Sequence, residues 1–334
     1  MLDDLFKVRT LTTSINIIKP GRMKITDTLF PESSRRGQPS DQYAVDIYTG
    51  SQGVMKNISV SAPAVVADYG SRKVVTLEAP RLAEKFFISS ARINSLRAFG
   101  SQFATTSMQT EIAKGQAEMR RKFDRTREFW ASKLLSGQIV DITGTVLVDF
   151  NVPADYKPVL AGNDVWTDDA SDPVNDIRGW QRLIEEAVGA VDRWVAFCGY
   201  SAMDSLINNL KATTLLQYNK GAQIAEEGRV ARLAGVDIEE YNATYQDNSG
   251  TTQRFIPANV FVLVGYTADG FEEYYAPVVD DEAPGGVGNS GVGQLFFSKA
   301  WLEKDPSGWW VKGEGRPLPV MHRVGSVVYA TVRA

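Results

Sequence analysis

Residues 105–137 read TTSMQTEIAKGQAEMRRKFDRTREFWASKLLSG, and the rest of the chain is best understood outward from this stretch. Met108, Ile112, Gly115, Met119, Phe123, Thr126, Trp130 and Leu134 recur at spacings of 4, 3, 4, 4, 3, 4 and 4. That period places all eight on one face of an α-helix. Thr105, Thr106 and Ser107 offer N-caps, Glu111 suits the N-terminal end, and Gly137 suits the C-terminal stop. At 1.5 Å per residue the helix is about 50 Å long, more than most globular helices need. Its other face carries Lys114, Arg120, Arg121, Lys122, Arg125 and Arg127, interleaved with Glu118, Asp124 and Glu128. Such a face is either simply solvated or a contact for phosphate.

On the N-terminal side, residues 43–90 read as β-structure. Tyr43, Val45 and Ile47 alternate with Ala44 and Asp46, and β-branched residues continue from Val54 to Val66. Asp68-Tyr69-Gly70-Ser71 signals a turn, Lys73-Val74-Val75-Thr76-Leu77 runs back, and Phe86-Phe87-Ile88 gives a further strand. Residues 1–42 hold only short apolar pieces between turn-rich polar ones, so an extended arm that lies on something else is expected. On the C-terminal side, Ile139 to Phe150 reads as a hairpin around Thr143-Gly144-Thr145. An aspartate-rich loop follows, and a helix starts at Asp172-Pro173 with Ile177, Trp180, Leu183, Ile184, Ala187 and Val188 at helical spacing. Residues 194–265 alternate strands and helices, 276–294 form a Gly-, Pro- and acid-rich loop, and Val324 to Val332 supplies a closing strand.

The chain has 334 residues, 43% hydrophobic and 23% charged, enough to bury a sizeable core and to exclude wholesale disorder. A net charge of −4 argues against gripping nucleic acid as the primary role. The single cysteine, Cys198, excludes an intrachain disulfide and a cysteine zinc cluster. The single histidine, His322, removes most catalytic triads and two-His metal motifs. No apolar stretch approaches the roughly 18 residues of a bilayer span. Met1-Leu2-Asp3-Asp4-Leu5-Phe6 lacks the basic region and apolar run of a signal peptide. A soluble protein in a reducing compartment, with no membrane partner, is expected.

Gly286-Val287-Gly288-Asn289-Ser290-Gly291 matches a dinucleotide-binding pattern, but the strand before it and the helix after it are missing, so it reads as a surface loop. Asp164, Asp168, Asp169, Asp172 and Asp176 lack the spacing of a calcium loop and read as solvated turn and helix start. His322 sits in a strand segment without an obvious partner, and Cys198 reads as a small buried hydrophobe. No catalytic residue, cofactor site or metal site is expected.

The order of these parts, with Leu134-Leu135-Ser136-Gly137, Val146-Leu147-Val148-Asp149-Phe150, Trp166, Ser171-Asp172-Pro173-Val174-Asn175-Asp176-Ile177, and the ending Pro319-Val320-Met321 with Val327-Val328, resembles the major capsid proteins of tailed bacteriophages. Within them it is most similar to the lambda-type major head protein family, which has the Hong Kong 97 shell fold. The resemblance covers roughly residues 10–334. It implies an α+β fold with an N-terminal arm (1–42) crossing a neighbour and an extended loop (43–90) lying over the adjacent subunit. It further implies a peripheral domain (91–173 and 311–334) built on a spine helix (105–137), and an axial α/β domain (174–310).

The implied function is structural. Many copies would form hexamers and pentamers that close into an icosahedral shell around double-stranded DNA, a virion component assembled in the host cytoplasm. Val54, Ile58, Val60, Val65, Val66 and Val74 of the extended loop would lie between subunits. Arg120, Arg121, Lys122 and Arg125 would face the interior and touch DNA without reading sequence. A separate scaffold protein and a portal are implied partners, and a decoration protein is left open. Some family members cross-link a loop lysine to a C-terminal asparagine; Lys56 and Lys73 are present, but no asparagine follows Asn289. Two alternatives stand beside this reading. One is an encapsulin-type compartment that shares the fold and packages enzymes. The other is a hydrolase using the acids of the 149–176 region.

Overall fold

The computed structural model describes residues 7–18, 23–49, 71–92, 104–209, 230–283 and 291–333. In chain order the elements are helix α1, Val8–Ile17; α2, Lys24–Leu29; strands β1, Arg35–Gly37; β2, Gln42–Thr49; β3, Ser71–Glu78; β4, Leu82–Ser89; and the long helix α3, Ala104–Leu135. There follow β5, Gln138–Val140; β6, Val146–Asp149; α4, Pro173–Val188; β7, Arg193–Cys198; α5, Tyr200–Asn208; β8, Arg232–Leu233; β9, Val236–Glu240; β10, Thr244–Gln246; and β11, Thr252–Arg254. The last are β12, Val260–Tyr266; β13, Phe271–Tyr275; β14, Phe297–Glu303; β15, Gly308–Gly315; β16, Pro317–Met321; and β17, Val327–Thr331. The fold is mixed helix and sheet, and the chain divides into two compact units.

The first unit comprises Met1–Tyr43, Thr76–Glu128 and Glu273–Pro319. Its frame is a three-stranded antiparallel sheet in the order β14-β15-β4. One face of that sheet packs on α3 and α1 through Ile88, Val311, Met108, Ile112, Met119 and Phe123. Met108, Ile112, Met119 and Phe123 are all buried, as their helical spacing requires. Gly115 breaks the apolar series because the Phe86 ring lies against it: a Cβ there would stand 2.3 Å from Phe86 Cζ. The glycine weakens the helix locally and in return lets strand and helix approach.

The arm is not extended. Residues 8–17 form α1, whose Leu11 and Ile15 are buried in the same core, and α2 buries Ile25 and Leu29. Three threonines and a serine give α1 weak intrinsic helicity, so local sequence does not announce it. Distant contacts hold it instead. Thr12 Oγ1 donates to the Ser298 carbonyl (3.0 Å) and accepts from the Ser298 amide (3.1 Å). Asn16 Nδ2 donates to the Phe296 carbonyl at 2.9 Å. Strands β2 and β3 pair as a two-stranded ribbon. Val54, Ile58, Val60, Val65 and Val66, and Lys56, lie outside the described residues, and Val74 falls in β3.

The second unit comprises Ala44–Val75, Phe129–Glu272 and Val320–Ala334. A five-stranded sheet in the order β17-β12-β7-β9-β8 forms its centre. Val260 to Val264 of β12 are all buried, which is why this strand reads as a continuous apolar run rather than an alternating one. It pairs antiparallel with both β7 and β17, while β7 runs parallel to β9. Helix α4 covers this sheet with Val174, Ile177, Trp180, Ile184 and Val188. Asp172 caps it by accepting from the Asn175 amide at 3.1 Å, and Pro173 occupies the first turn. Trp166 stacks on Trp180 and meets Phe261 edge-on, with centroids 6.0 and 5.1 Å apart. Helix α3 closes in this unit with Trp130, 2% exposed, and fully buried Leu134. Gly137, at φ +85°, then takes the left-handed conformation that ends it. The hairpin β5–β6 follows, as the sequence predicts.

Candidate assembly surfaces

The basic residues of α3 divide into two sets. Arg120 and Arg127 are buried, at 4% and 3% exposure, together with Asp124 and Glu128. Arg120 Nε donates to Asp124 Oδ2 at 3.0 Å, and Arg127 engages Glu273 of β13 through Nε (2.7 Å) and Nη2 (2.5 Å). Tyr275 adds its hydroxyl to the same carboxylate at 2.9 Å. Burial works against the Arg127 charge, but Glu273 outweighs it and holds the guanidinium above its ordinary value. Burial pushes the Asp124 carboxyl up, and Arg120 and Arg127 only partly offset that. Burial and the Glu273 carboxylate push the Tyr275 phenol up as well.

Glu128 has a different task. Its carboxylate accepts from the Ile25 amide (2.9 Å), the Thr26 amide (2.9 Å) and Thr26 Oγ1 (2.6 Å). These are donors of the first turn of α2 that no helical carbonyl can reach. A negative charge at that end also suits the helix dipole. The spine helix thereby grips the arm.

Arg120 therefore leaves the set expected on the exposed basic face. Its carboxylate partner sits four residues on, and the pair turns toward the protein rather than to water. Arg121, Lys122 and Arg125 are exposed, as is Lys114. Lys122 Nζ reaches Glu84 Oε1 of β4 at 2.5 Å, whereas Arg121 and Arg125 meet no carboxylate among the described residues.

A second charged cluster sits at the root of the ribbon. Buried Arg316 donates from Nε (3.3 Å) and Nη2 (2.9 Å) to the Ala79 carbonyl, and from Nη1 to the Pro277 carbonyl (3.3 Å). Ala79 in turn donates its amide to the Asp41 carbonyl, so the two strands are tied together at the root of the ribbon. Beside them Glu314 is fully buried and holds Arg81 as a fork, at 2.7 and 2.9 Å, and Lys312 as well. Lys299 and Lys312 converge on Asp280. Burial alone would raise both carboxyls, but Arg81 and Lys312 hold Glu314, and Lys299 holds Asp280, below the usual carboxylate range. Nothing local in the sequence marks Arg316, Glu314 or Glu128, which reach Ala79, Arg81 and Ile25, each more than 100 residues away.

Of the other sequence-selected residues, His322, Asp168, Asp172 and Asp176 have structural partners, and Gly286 to Ser290 lie outside the described residues. His322 is not unpartnered: Nε2 lies 3.1 Å from Glu272 Oε2. Cys198 is fully buried in β7, and burial pushes its thiol well above the ordinary value. Asp176 accepts from Trp166 Nε1 at 2.9 Å, Asp172 caps α4, and Asp168 accepts from the Ala170 amide at 2.8 Å. Asp172 and Asp176 fasten the loop to the start of α4, and Asp168 closes a turn within it.

The model of the family described as phage major capsid protein E matches residues 7–332. The comparison with curated proteins returns no match. Among solved structures, a prophage protein from E. coli CFT073, described as a capsid protein, superposes with a TM-score of 0.60 at 17% identity, covering 97% of this chain and 98% of that one. A phage-related protein from Bordetella bronchiseptica RB50 gives 0.53 at 12% identity, with 96% of each chain covered. A subunit of the mature capsid of bacteriophage PhiM1 gives 0.51 at 11% identity, over 89% of this chain and 83% of that one. At these identities the shared property is the fold.

Proposed function

The chain belongs to the phage major capsid protein E family, and from that premise we propose that its copies form hexamers and pentamers which close into an icosahedral shell around double-stranded DNA. It is a structural shell protein and a virion component, not an enzyme. The observation that carries the reading is the family match across nearly the whole chain. The encapsulin and hydrolase readings draw no comparable support.

In this reading the ribbon β2–β3 reaches over a neighbouring subunit, and the charged cluster around Arg316 and Glu314 fixes the angle at which it leaves. A two-stranded ribbon alone is marginally stable in water, so a neighbour is the natural support for its apolar residues. The five-stranded unit takes the axial position and α3 the peripheral one. Arg121 and Arg125, with Lys122 partly neutralised by Glu84, face the packaged DNA and contact phosphates without reading bases. A separate scaffold protein and a portal complete the assembly, which proceeds in the host cytoplasm.

The test is expression of the chain with negative-stain electron microscopy of the product. Closed shells of regular size are expected. A chain that stays a monodisperse monomer under all assembly conditions overturns the proposal, and shells from infected cells that hold cargo enzymes in place of DNA favour the compartment reading.

A further inference from the structure

Strand β4 is the last strand of the β14-β15-β4 sheet and runs for eight residues, Leu82–Ser89. The Ser90 amide donates to the Ser307 carbonyl at 3.0 Å, which fixes the phase of the β4–β15 ladder. Antiparallel pairing alternates, so Ile88, Phe86, Glu84 and Leu82 exchange backbone bonds with β15. Ala83, Lys85, Phe87 and Ser89 therefore turn their amides and carbonyls to the free edge, and no strand meets them among the described residues. Natural edges are ordinarily blunted by charged side chains that stand out from them. Here both charges of the edge are drawn onto the sheet faces: Lys85 Nζ lies 4.3 Å from the Trp310 ring centroid, and Glu84 is held by Lys122 of α3. What remains is a row of bare backbone donors and acceptors. On the face away from α3, Trp301 stands opposite Trp310, and Trp310 opposite Phe87, with centroids 6.4 and 4.9 Å apart. This aromatic row crosses the sheet and stops at the free edge.

We propose that β4 pairs antiparallel with β4 of a second copy of the chain about a two-fold axis at Phe87, which fuses the two sheets into one; the inference rests on the shell reading. Bare backbone groups along an edge call for an extended polypeptide, and not for a phosphate or a small apolar ligand. The side chains select a second copy. Pairing about Phe87 sets it against the partner's Phe87, so the aromatic row continues across the contact. The same register sets Lys85 opposite the partner's Ser89 and Glu84 opposite the partner's Ser90, so no like charges meet. A register centred on Lys85 would instead oppose two lysines. Outward-turned residues face each other throughout, so about six backbone hydrogen bonds form. One patch serves both copies, which makes the contact isologous, and an icosahedral shell supplies two-fold axes for it.

Single-cysteine substitutions at the free edge test the register, since the native Cys198 is buried. Opposed Cα atoms in such a pair lie about 5.5 Å apart, within reach of a disulfide. Mild oxidation of assembled Phe87→Cys is expected to give covalent dimers of the chain, at least tenfold more than Lys85→Cys or Ser89→Cys alone. Chains of those two variants, mixed and assembled together, should join to each other. Equal cross-linking at all three positions, or cross-linking to a different protein, overturns the pairing. Lys85→Pro gives a second readout. It removes an outward amide and leaves the bonds to β15 intact, a setting in which an edge strand tolerates proline. Its circular dichroism should match wild type while shell yield falls at least tenfold. Shells of Lys85→Pro at wild-type yield overturn the pairing; if that variant does not fold, the cysteine variants decide. Wild-type shells without the Phe87→Cys cross-link sink the pairing alone, whereas a wild-type chain that makes no shells sinks the shell reading and the pairing together.

Discussion

Arg127 and Glu273 meet fork to fork in the first unit, with Nε and Nη2 at 2.7 and 2.5 Å from the two carboxylate oxygens and both side chains at most 2% exposed. A buried pair of this kind is costly to break from one side, because the remaining charge stays desolvated. Glu273→Gln is expected to destabilise the subunit by about 3–5 kcal/mol. The double variant Arg127→Met with Glu273→Leu should recover part of that loss, since the Arg127 charge is then not stranded, while Asp124, Arg35 and the Tyr275 hydroxyl each lose one partner. Urea denaturation of the three proteins checks this. An unchanged midpoint for Glu273→Gln would show that the pair is not what fastens α3 to β13.

Glu128 fastens the arm through three donors of α2. Hydrogen bonds to a charged group contribute about 1.5–3 kcal/mol each in net terms. Glu128→Ala should therefore free residues 23–30 while the rest of α3 stays folded. The expected signature in hydrogen exchange is rapid exchange at the Ile25 and Thr26 amides, with protection near Trp130 unchanged. Unaltered protection at Ile25 and Thr26 would show that the arm is held by its apolar contacts alone.

How much of this was legible in the sequence follows from the range of the forces. The spine helix was readable because Met108 to Leu134 keep one period over many turns. Asp172-Pro173 and Val260 to Val264 were readable because a cap and a buried strand are local signals. Helix α1 was not, because its stability comes from Thr12 and Asn16 meeting residues more than 270 positions away. Arg120 and Arg121 are adjacent in sequence but point about 100° apart around the helix, so one is buried and the other is not. Only the carboxylate at Asp124 hinted at the difference. The ribbon root rests on Arg316 and Glu314, which no motif marks.

The root also predicts a pH response. Glu314 and Asp280 are held below the usual carboxylate range in the folded chain. A carboxyl depressed by folding stabilises above its unfolded pKa, and that contribution is lost as pH falls through the folded value. Asp124 runs the other way: its proton is held more tightly in the folded chain, so it loses stabilisation as pH rises through that range. Glu314→Gln should lower the thermal midpoint at pH 7, and the gap to wild type should close as pH falls below about 4. A gap that is constant across that range would mean the Glu314 charge does not contribute.

The exposed basic residues of α3 give a prediction separable from assembly. Arg121 and Arg125 stand one helical turn apart and exposed, and neither is a member of the Lys122–Glu84 bridge. If they neutralise phosphates inside the shell, each released counterion steepens the salt dependence of DNA binding by about 0.9 in log–log slope. Replacing both, as Arg121→Gln with Arg125→Gln, should reduce that slope by about 2 for disassembled subunits on duplex DNA. The loss should be equal for all sequences, because phosphate contacts position without specifying. Empty shells of the double variant should form at wild-type yield, since neither guanidinium meets a carboxylate among the described residues. Filled particles should instead become less stable to low salt, where unneutralised DNA charge repels itself most. A slope that does not change, or empty shells that fail to close, would place these two arginines at a contact between subunits instead of facing DNA.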